Sequence, residues 1–197
     1  MATVVVPFRG NDPKQRLALA AASRRALAEA MLADVVAAAR AIGSVVVVAS
    51  PGSAVPADVL RVADPRRGQG AAVRAGLGAA EAAGLPAPFL VVNADLPCAT
   101  SRDLLALAGA VPDHGLALVP AADGTTNALA LADAGLFEPV YGLGSAARFA
   151  ALAPSTTLDA PNLVADVDTL DDLARLGDRP GVHTRRVLAA LDLPSAA

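Results

Sequence analysis

Short runs of apolar residues alternate along the chain with longer segments of mixed apolar and polar character. The runs are rich in valine and leucine, have the length of strands, and end at proline, glycine or acidic residues. Runs that are apolar at every position are typical of parallel strands covered on both faces. The predicted strands are residues 3–6, 44–49, 60–63, 89–93 and 116–120, with 128–131 as one more candidate.

Segments of helical composition lie between these strands. We predict helices at 16–42, 68–83, 102–110, 145–152, 170–176 and 182–191. Gly43 would end the first, and Thr100 or Ser101, Ser145 and Thr169 would cap three others. A loop is expected from Pro7 to Lys14. Strands that alternate with helices favour an α/β fold, a single domain with a mostly parallel sheet flanked by helices. The domain should span residues 1–192, with 193–197 as a frayed tail.

Three aspartates carry the strongest chemical signal. Asp95 follows the apolar run 89–93, and Asp166 and Asp168 form a D-x-D pair before the predicted helix 170–176. Open α/β sheets bind ligands at the carboxyl ends of their strands. Carboxylate oxygens are the ligands that Mg²⁺ prefers, commonly together with substrate phosphates. Each aspartate taken alone would suit an ordinary turn, but the set indicates a metal site and a phosphorylated ligand.

Two basic segments could hold phosphates. Arg9, Lys14 and Arg16 follow the first strand, and residues 66–70 place two arginines and two glycines before the second helix. Glycine allows a backbone to approach a ligand closely, so Gly70 is a candidate nucleotide contact. Neither segment is a Walker A loop or a complete dinucleotide fingerprint, and each could be a solvated basic turn.

Two further turns, residues 123–127 and 141–145, offer hydroxyls and backbone N–H groups. Such turns suit a carboxylate or a phosphate, and Thr126, Gly142 and Ser145 are the candidate contacts. Arg148 could add positive charge nearby. Ordinary loop chemistry would explain both turns equally well.

The composition argues against several classes of protein. The net charge is -3 and the pI about 5.3, whereas a general nucleic-acid binder is normally basic. A single cysteine, Cys98, excludes an internal disulfide and a cysteine-rich zinc site, and a packed side chain is the preferred interpretation. His114 and His183 lack partner motifs and are expected at the surface. No apolar stretch approaches the length of about 18 residues that a membrane span needs. We therefore expect a cytoplasmic protein with no nucleic-acid or membrane partner.

The order of these motifs resembles the guanylyltransferases of coenzyme F420 biosynthesis, which act on phosphoenolpyruvate or 2-phospho-L-lactate. The resemblance runs over nearly the whole chain. It is carried by Val6-Pro7, Lys14 with Arg16 and Leu17, Ala94-Asp95-Leu96-Pro97, Asp123 to Leu129, Tyr141 to Arg148, and Asp166-Val-Asp168-Thr with Asp172-Leu173. The chain departs from the family pattern at Arg9, where a lysine is usual, and at Gly68-Gln69-Gly70-Ala71.

The resemblance implies a Rossmann-like nucleotidyltransferase fold and transfer of GMP from GTP to a three-carbon phospho-acid, with release of pyrophosphate. It implies that Asp95, Asp166 and Asp168 hold Mg²⁺, that Lys14 and Arg16 bind the GTP phosphates, and that Thr126, Gly142 and Ser145 contact the phospho-acid. The alanine-rich composition is typical of actinobacteria, which favours phosphoenolpyruvate over 2-phospho-L-lactate. A downstream F420 transferase is an expected partner, because an enolpyruvyl-diphosphate product would be labile.

Two other interpretations remain. Another nucleotidyltransferase, of the molybdenum-cofactor or sugar-phosphate type, would use the same aspartates. Its usual glycine-rich L-x-G-G loop is absent from residues 6–14. A non-catalytic nucleotide-binding relative could keep the fold, although the presence of all three aspartates argues against lost activity.

Overall fold

Seven strands form one sheet in the computed structural model, which describes residues 1–10 and 17–191. The strands are β1 Ala2–Phe8, β2 Gly43–Ala49, β3 Leu60–Ala63, β4 Phe89–Val92, β5 Leu116–Pro120, β6 Thr126–Leu131 and β7 Ser155–Thr157. The helices are α1 Ala21–Arg40, α2 Gln69–Ala82, α3 Ser101–Gly109, α4 Ser145–Ala150, α5 Pro161–Val164, α6 Leu170–Leu176 and α7 Val182–Ala190, with a 3₁₀ turn at Ala134–Leu136.

The spatial order of the strands is β3-β2-β1-β4-β6-β5-β7. Val5 of β1 pairs in parallel with Val46 of β2 on one side and with Val91 of β4 on the other. The chain therefore builds the sheet outward in both directions from β1 and β4. In open α/β sheets this switch point is where ligands bind, at the carboxyl ends of the strands.

β6 runs antiparallel to both of its neighbours, β4 and β5. Residues 121–125 connect β5 to β6, and so short a connection can join only antiparallel strands. The predicted mostly parallel sheet is confirmed, with this one reversal. The reversal places the start of β6 at the same edge as the end of β4.

Two apolar layers cover the two faces of the sheet. Alternate residues of β1 point to opposite sides, so Val4 and Val6 pack in the layer of α1, α3 and α6, whereas Val5 packs in the layer of α2 and α4. Small residues allow close packing on the second side. A Cβ on Gly76 of α2 would lie 2.4 Å from Val5 Cγ1, which is closer than any real contact. The predicted α/β fold, a sheet flanked by helices, is thus confirmed.

Several predicted boundaries shift. β1 continues through Pro7 and Phe8, which were expected in a loop, because both residues extend the pairing with β2. The first helix begins at Ala21 rather than near residue 16, because Ala20 has ψ 149°, outside the helical region, and Leu17 before it is buried in the core. The strand β7 and the short helix α5 were not predicted.

The helix caps were predicted with mixed success. Thr100 and Thr169 each form a capping box, with Asp103 and Asp172 as the reciprocal partners. The prediction that Ser145 caps α4 is wrong, because Gly144 holds the cap position in a left-handed conformation and Ser145 is the first helical residue. Its hydroxyl is used elsewhere, as described below.

The other general expectations can be compared directly. His114 and His183 are exposed, and Cys98 is buried in the core, where burial raises its pKa. No helix in the described part of the chain combines the length and the apolar character needed to cross a membrane. The predicted tail, residues 193–197, lies outside the described residues.

Asp34 joins the C-terminal helix to the first. This α1 carboxylate is only 5% exposed and accepts the backbone N–H groups of His183 and Thr184, at 3.0 and 2.8 Å, in the first turn of α7. A Cβ on Gly181 would lie 2.3 Å from the Asp34 carboxyl carbon, so glycine is needed for this approach. Asp34 thus acts as a remote N-cap.

Asp34→Ala should lower the free energy of unfolding by about 2 kcal/mol, because two N–H groups in the first turn of α7, that of Thr184 buried and that of His183 partly buried, lose a charged acceptor. Urea unfolding followed by circular dichroism measures this change. The matched control is Asp113→Ala, which removes an exposed carboxylate. Equal stability of the two variants would show that Asp34 does not hold α7.

Candidate functional site

The three predicted metal ligands meet at the carboxyl end of β4. Asp95 lies in the turn after this strand, and Asp166 and Asp168 lie between α5 and α6. The two turns are joined because the Val167 N–H donates to the Asp95 carbonyl oxygen, at 3.1 Å. One carboxylate oxygen from each aspartate lies within 4.8 Å of the others, and all three residues are half-buried. The backbone therefore holds three acidic side chains around one point.

The crowding affects protonation. Burial raises the pKa of Asp166, the nearby charge of Asp95 raises it further, and a hydrogen bond from Asn127 opposes the rise. Mutual repulsion of this kind is relieved by a cation. Three carboxylate oxygens this close together suit a hard divalent ion, which prefers oxygen ligands. The chemistry and spacing of the cluster therefore fit a divalent metal.

A row of three side-chain amides leads to Asp166. Gln69 Nε2 donates to Asn93 Oδ1 at 2.8 Å, Asn93 Nδ2 to Asn127 Oδ1 at 3.3 Å, and Asn127 Nδ2 to Asp166 Oδ1 at 3.4 Å. None of these three amides was among the predicted site residues, although Gln69 and Asn127 lie within the segments 66–70 and 123–127. The available signal was an asparagine at the end of an apolar strand, Asn93, and one at the start of another, Asn127. The amides also show that the start of α2 lies beside the turn of Asp95.

The two polar turns predicted at a substrate site lie together. The hydroxyls of Thr126 and Ser145 are 3.0 Å apart, and the two residues are 3% and 0% exposed. The Ala146 N–H donates to the carbonyl oxygen of Gly124, which joins the same two turns through the backbone. Gly142 has φ +109°, a conformation that only glycine adopts readily. The exposed part of this turn is backbone at Gly142 and the side chain of Leu143.

Arg148 holds this turn from one side. Its guanidinium donates to the carbonyl oxygens of Val140, Leu143 and Tyr141, at 3.0, 2.7 and 3.3 Å. The side chain is exposed, so the remaining N–H groups can face a ligand. Substrate binding by Arg148 stays a prediction. Its observed contacts are with the protein's own backbone.

The structure describes only some of the residues that were predicted to bind phosphate or nucleotide. Arg9 is exposed just beyond β1, at the same edge of the sheet as Asp95. A Cβ on Gly70 would lie 2.5 Å from Pro139 Cβ, so this glycine has a packing reason besides any contact with a nucleotide. Lys14 and Arg16 lie outside the described residues. Their roles stay predictions.

Comparison with known proteins shows which family this chain resembles over most of its length. The sequence model of the MobA-like NTP transferase domain matches residues 9–192. A phosphoenolpyruvate guanylyltransferase of Conexibacter woesei is 38% identical, over 93% of this chain and 92% of that protein. A 2-phospho-L-lactate guanylyltransferase of Halobacterium salinarum is 39% identical, over 94% of this chain and 89% of that protein.

Solved structures agree on the fold. A nucleotidyl transferase from Methanothermobacter matches with a TM-score of 0.62 and 14% identity, over 96% of this chain and 99% of that one. A Mycobacterium tuberculosis protein solved in complex with manganese matches with a TM-score of 0.58 and 21% identity, over 89% of this chain and 96% of that one. At these identities the likeness concerns the fold alone.

Asp166→Asn should raise the melting temperature of the metal-free protein near pH 7. Because the pKa of Asp166 in the folded protein lies above the ordinary 3.8, the free energy of unfolding falls as the pH rises from 3.8 through that raised pKa. Asparagine is uncharged and removes this loss. The melting temperatures of variant and wild type, measured between pH 4 and 8 with a chelator, should diverge as the pH rises.

The control for this measurement is Asp159→Asn, at an exposed position. Its melting temperature should follow that of the wild type at every pH. An Asp166→Asn variant that is less stable than the wild type at pH 7 would contradict the picture of a repulsive cluster.

Arg148→Lys should loosen the turn at residues 141–145. Lysine is a single point donor and cannot replace a planar fork that reaches three carbonyl oxygens. Hydrogen–deuterium exchange of the backbone amides in this segment, including the Ser145 N–H that donates to Gly142, should accelerate. Arg102→Lys, on the exposed face of α3, is the matched control. Unchanged exchange in Arg148→Lys would show that the guanidinium does not hold the turn.

Proposed function

This chain belongs to the MobA-like NTP transferases and, among them, to the phosphoenolpyruvate and 2-phospho-L-lactate guanylyltransferases, and we propose that it transfers GMP from GTP to such a phospho-acid. The phosphate of the acid attacks the α-phosphorus of GTP and forms a new P–O–P bond, while the bond from the α-phosphorus to the α,β-bridging oxygen breaks and pyrophosphate leaves with that oxygen. The observation that carries this proposal is the aspartate cluster at the switch point of the sheet, in a chain similar to these enzymes over almost its full length.

The reaction needs charge control more than proton transfer. The acceptor phosphate is already an anion and requires no strong general base, but it must approach an anionic triphosphate. Asp95, Asp166 and Asp168 would hold Mg²⁺, which when bound neutralises charge on the α-phosphate and on the leaving pyrophosphate. The task of this chain's residues is to position the two anions in line.

Cationic residues would stabilise the triphosphate. Lys14 and Arg16, with Arg9, follow β1 in sequence and would bind the β- and γ-phosphates until pyrophosphate leaves. The start of α2, from Gly68 to Gly70, lies beside Asn93 and would accept the nucleotide, since the first turn of a helix presents free N–H groups. Arg9 is exposed at this edge of the sheet, which supports its part in the proposal.

The phospho-acid would bind at the turns of Thr126 and Ser145. Because these two hydroxyls are buried against each other, they brace the site, and the exposed backbone around Gly142 is the nearer surface for the acid. Arg148 fixes the same backbone and can offer its remaining N–H groups to a carboxylate. Binding of the acid would then depend on a rigid turn.

Phosphoenolpyruvate is our first choice of acceptor, with 2-phospho-L-lactate second. Relatives with either name cover similar shares of this chain at similar identity. A place in the cytoplasmic synthesis of coenzyme F420 follows from the resemblance of the motifs. Since an enolpyruvyl diphosphate would be short-lived, direct transfer of the product to the next enzyme is part of the proposal.

The first experiment is pyrophosphate release with GTP and Mg²⁺. Phosphoenolpyruvate, 2-phospho-L-lactate and 3-phosphoglycerate are offered in parallel, with the downstream transferase present to trap the product. Release with one of the first two acids supports the proposal and selects the acceptor. If a folded protein releases no pyrophosphate with any of the three acids, the result would favour another nucleotidyltransferase or a relative that binds nucleotides without catalysis.

Asp168→Asn should lower turnover strongly, by at least about 100-fold, because one metal ligand and one charge are lost. The measurement is the rate of pyrophosphate release at saturating GTP, together with a melting curve to show that the variant is folded. Asp171→Asn, an exposed acid three residues further on, is the matched control and should keep near-normal turnover. Near-normal turnover in a folded Asp168→Asn variant would defeat the metal assignment.

A further inference from the structure

The row of amides between α2 and Asp166 has a defined direction. A carboxylate can only accept hydrogen bonds, and so can the carbonyl oxygen of Val164, which receives Asn127 Nδ2 at 2.9 Å. The NH₂ group of Asn127 must therefore face Asp166, and its oxygen must face Asn93. Asp166 thus sets the orientation of the first amide.

The same reasoning extends along the row. Asn93 has to turn its NH₂ group toward the Asn127 oxygen, and this group also lies 3.4 Å from the carbonyl oxygen of Thr126. The Asn93 oxygen then faces away and needs a donor, which Gln69 supplies at 2.8 Å. Reversing any one of these amides would place two oxygens, or two NH₂ groups, against each other. The polarity of the whole row is consistent from Gln69 to Asp166.

We propose that Asn127 is a positioning residue for Asp166, and that Gln69, through Asn93, fixes the amide orientation on which this positioning depends. The inference rests on the metal site of the proposed function. Asn127 is 3% exposed and spans the gap between β6 and the turn of Asp166. By occupying one oxygen of Asp166 it fixes the rotation of the carboxylate and leaves the second oxygen for a cation.

The row also connects the two ligand regions of the site. Gln69 is the first residue of α2, where the nucleotide is proposed to bind, and Asp166 belongs to the metal cluster. A substitution of Gln69 would therefore affect the metal site through Asn93, which is half-buried, and Asn127, which is buried. Gln69 itself need not contact the metal or the nucleotide.

The test measures the binding of Mn²⁺ without any other ligand. The concentration of free Mn²⁺ is read from its electron paramagnetic resonance signal. Asn127→Leu keeps approximate size but removes the donor, and Mn²⁺ affinity should fall 10- to 100-fold, the effect typical of residues that orient metal ligands. The matched control is Asn162→Leu. Asn162 also donates to a carboxylate, that of Asp103 at 3.1 Å, but outside the cluster, so Mn²⁺ affinity should stay at the wild-type value.

A second pair of variants tests the polarity of the row and avoids a buried substitution. Gln69→Met removes the terminal donor, whereas Gln69→Glu replaces it with an acceptor of the same shape. The carboxylate can only accept and would favour a reversed Asn93, which opposes the orientation that Asp166 and Val164 impose on Asn127. Gln69→Glu should therefore weaken Mn²⁺ binding more than Gln69→Met does. Equal affinities in these two variants would overturn the connection from Gln69 to Asp166.

The outcomes separate this inference from the proposed function. One outcome would overturn the positioning role and leave the metal site intact: Mn²⁺ binds to the wild type and to a folded Asn127→Leu variant with equal affinity, but not to Asp168→Asn. Wild type that binds no Mn²⁺ overturns the metal site and the inference with it. Weaker binding in Asn127→Leu and Gln69→Glu, with Asn162→Leu unchanged, supports the inference.

Discussion

The structure depends on keeping three like charges close together. Asp95, Asp166 and Asp168 repel one another, and burial increases the repulsion because fewer water molecules screen the charges. Two contacts hold the turn of residues 166–168 beside β4: the backbone hydrogen bond from Val167 to Asp95, and the row of amides that ends on Asp166. Burial of the apolar layers on either side of the sheet offsets the free-energy cost of this repulsion.

The sheet explains why these restraints meet at one place. β1 and β4 end at the same edge, and the chain moves away from them in opposite directions. The reversal of β6 returns Thr126 and Asn127 to that edge, where a parallel strand would have presented its other end. One antiparallel strand thus adds a hydroxyl and an amide to a site otherwise built from the ends of parallel strands.

Much of this arrangement could be predicted from the sequence. Short apolar runs of valine, leucine and alanine located six of the seven described strands, and the capping threonines located the starts of α3 and α6. Asp95 was recognisable because it follows an apolar run at a strand end, and Asp166 and Asp168 because they form a D-x-D pair before a predicted helix. In contrast, the direction of β6 depends on pairing with strands that are distant in sequence. A short run such as 155–157 carries too little pattern to be recognised.

The contacts that the sequence did not predict share one property: each joins residues that are distant along the chain. Asn127 matters through Asp166, Asp34 through the first turn of α7, and Ser145 through the Thr126 hydroxyl. Composition around each of them resembles an ordinary strand, helix or cap, so local rules assign an ordinary role. Ser145 shows the consequence: a serine at a helix start is a good cap by propensity, but the left-handed Gly144 takes the cap position and frees the hydroxyl for Thr126. Local preference was overruled where a long-range polar contact was available, because buried polar groups need hydrogen-bond partners.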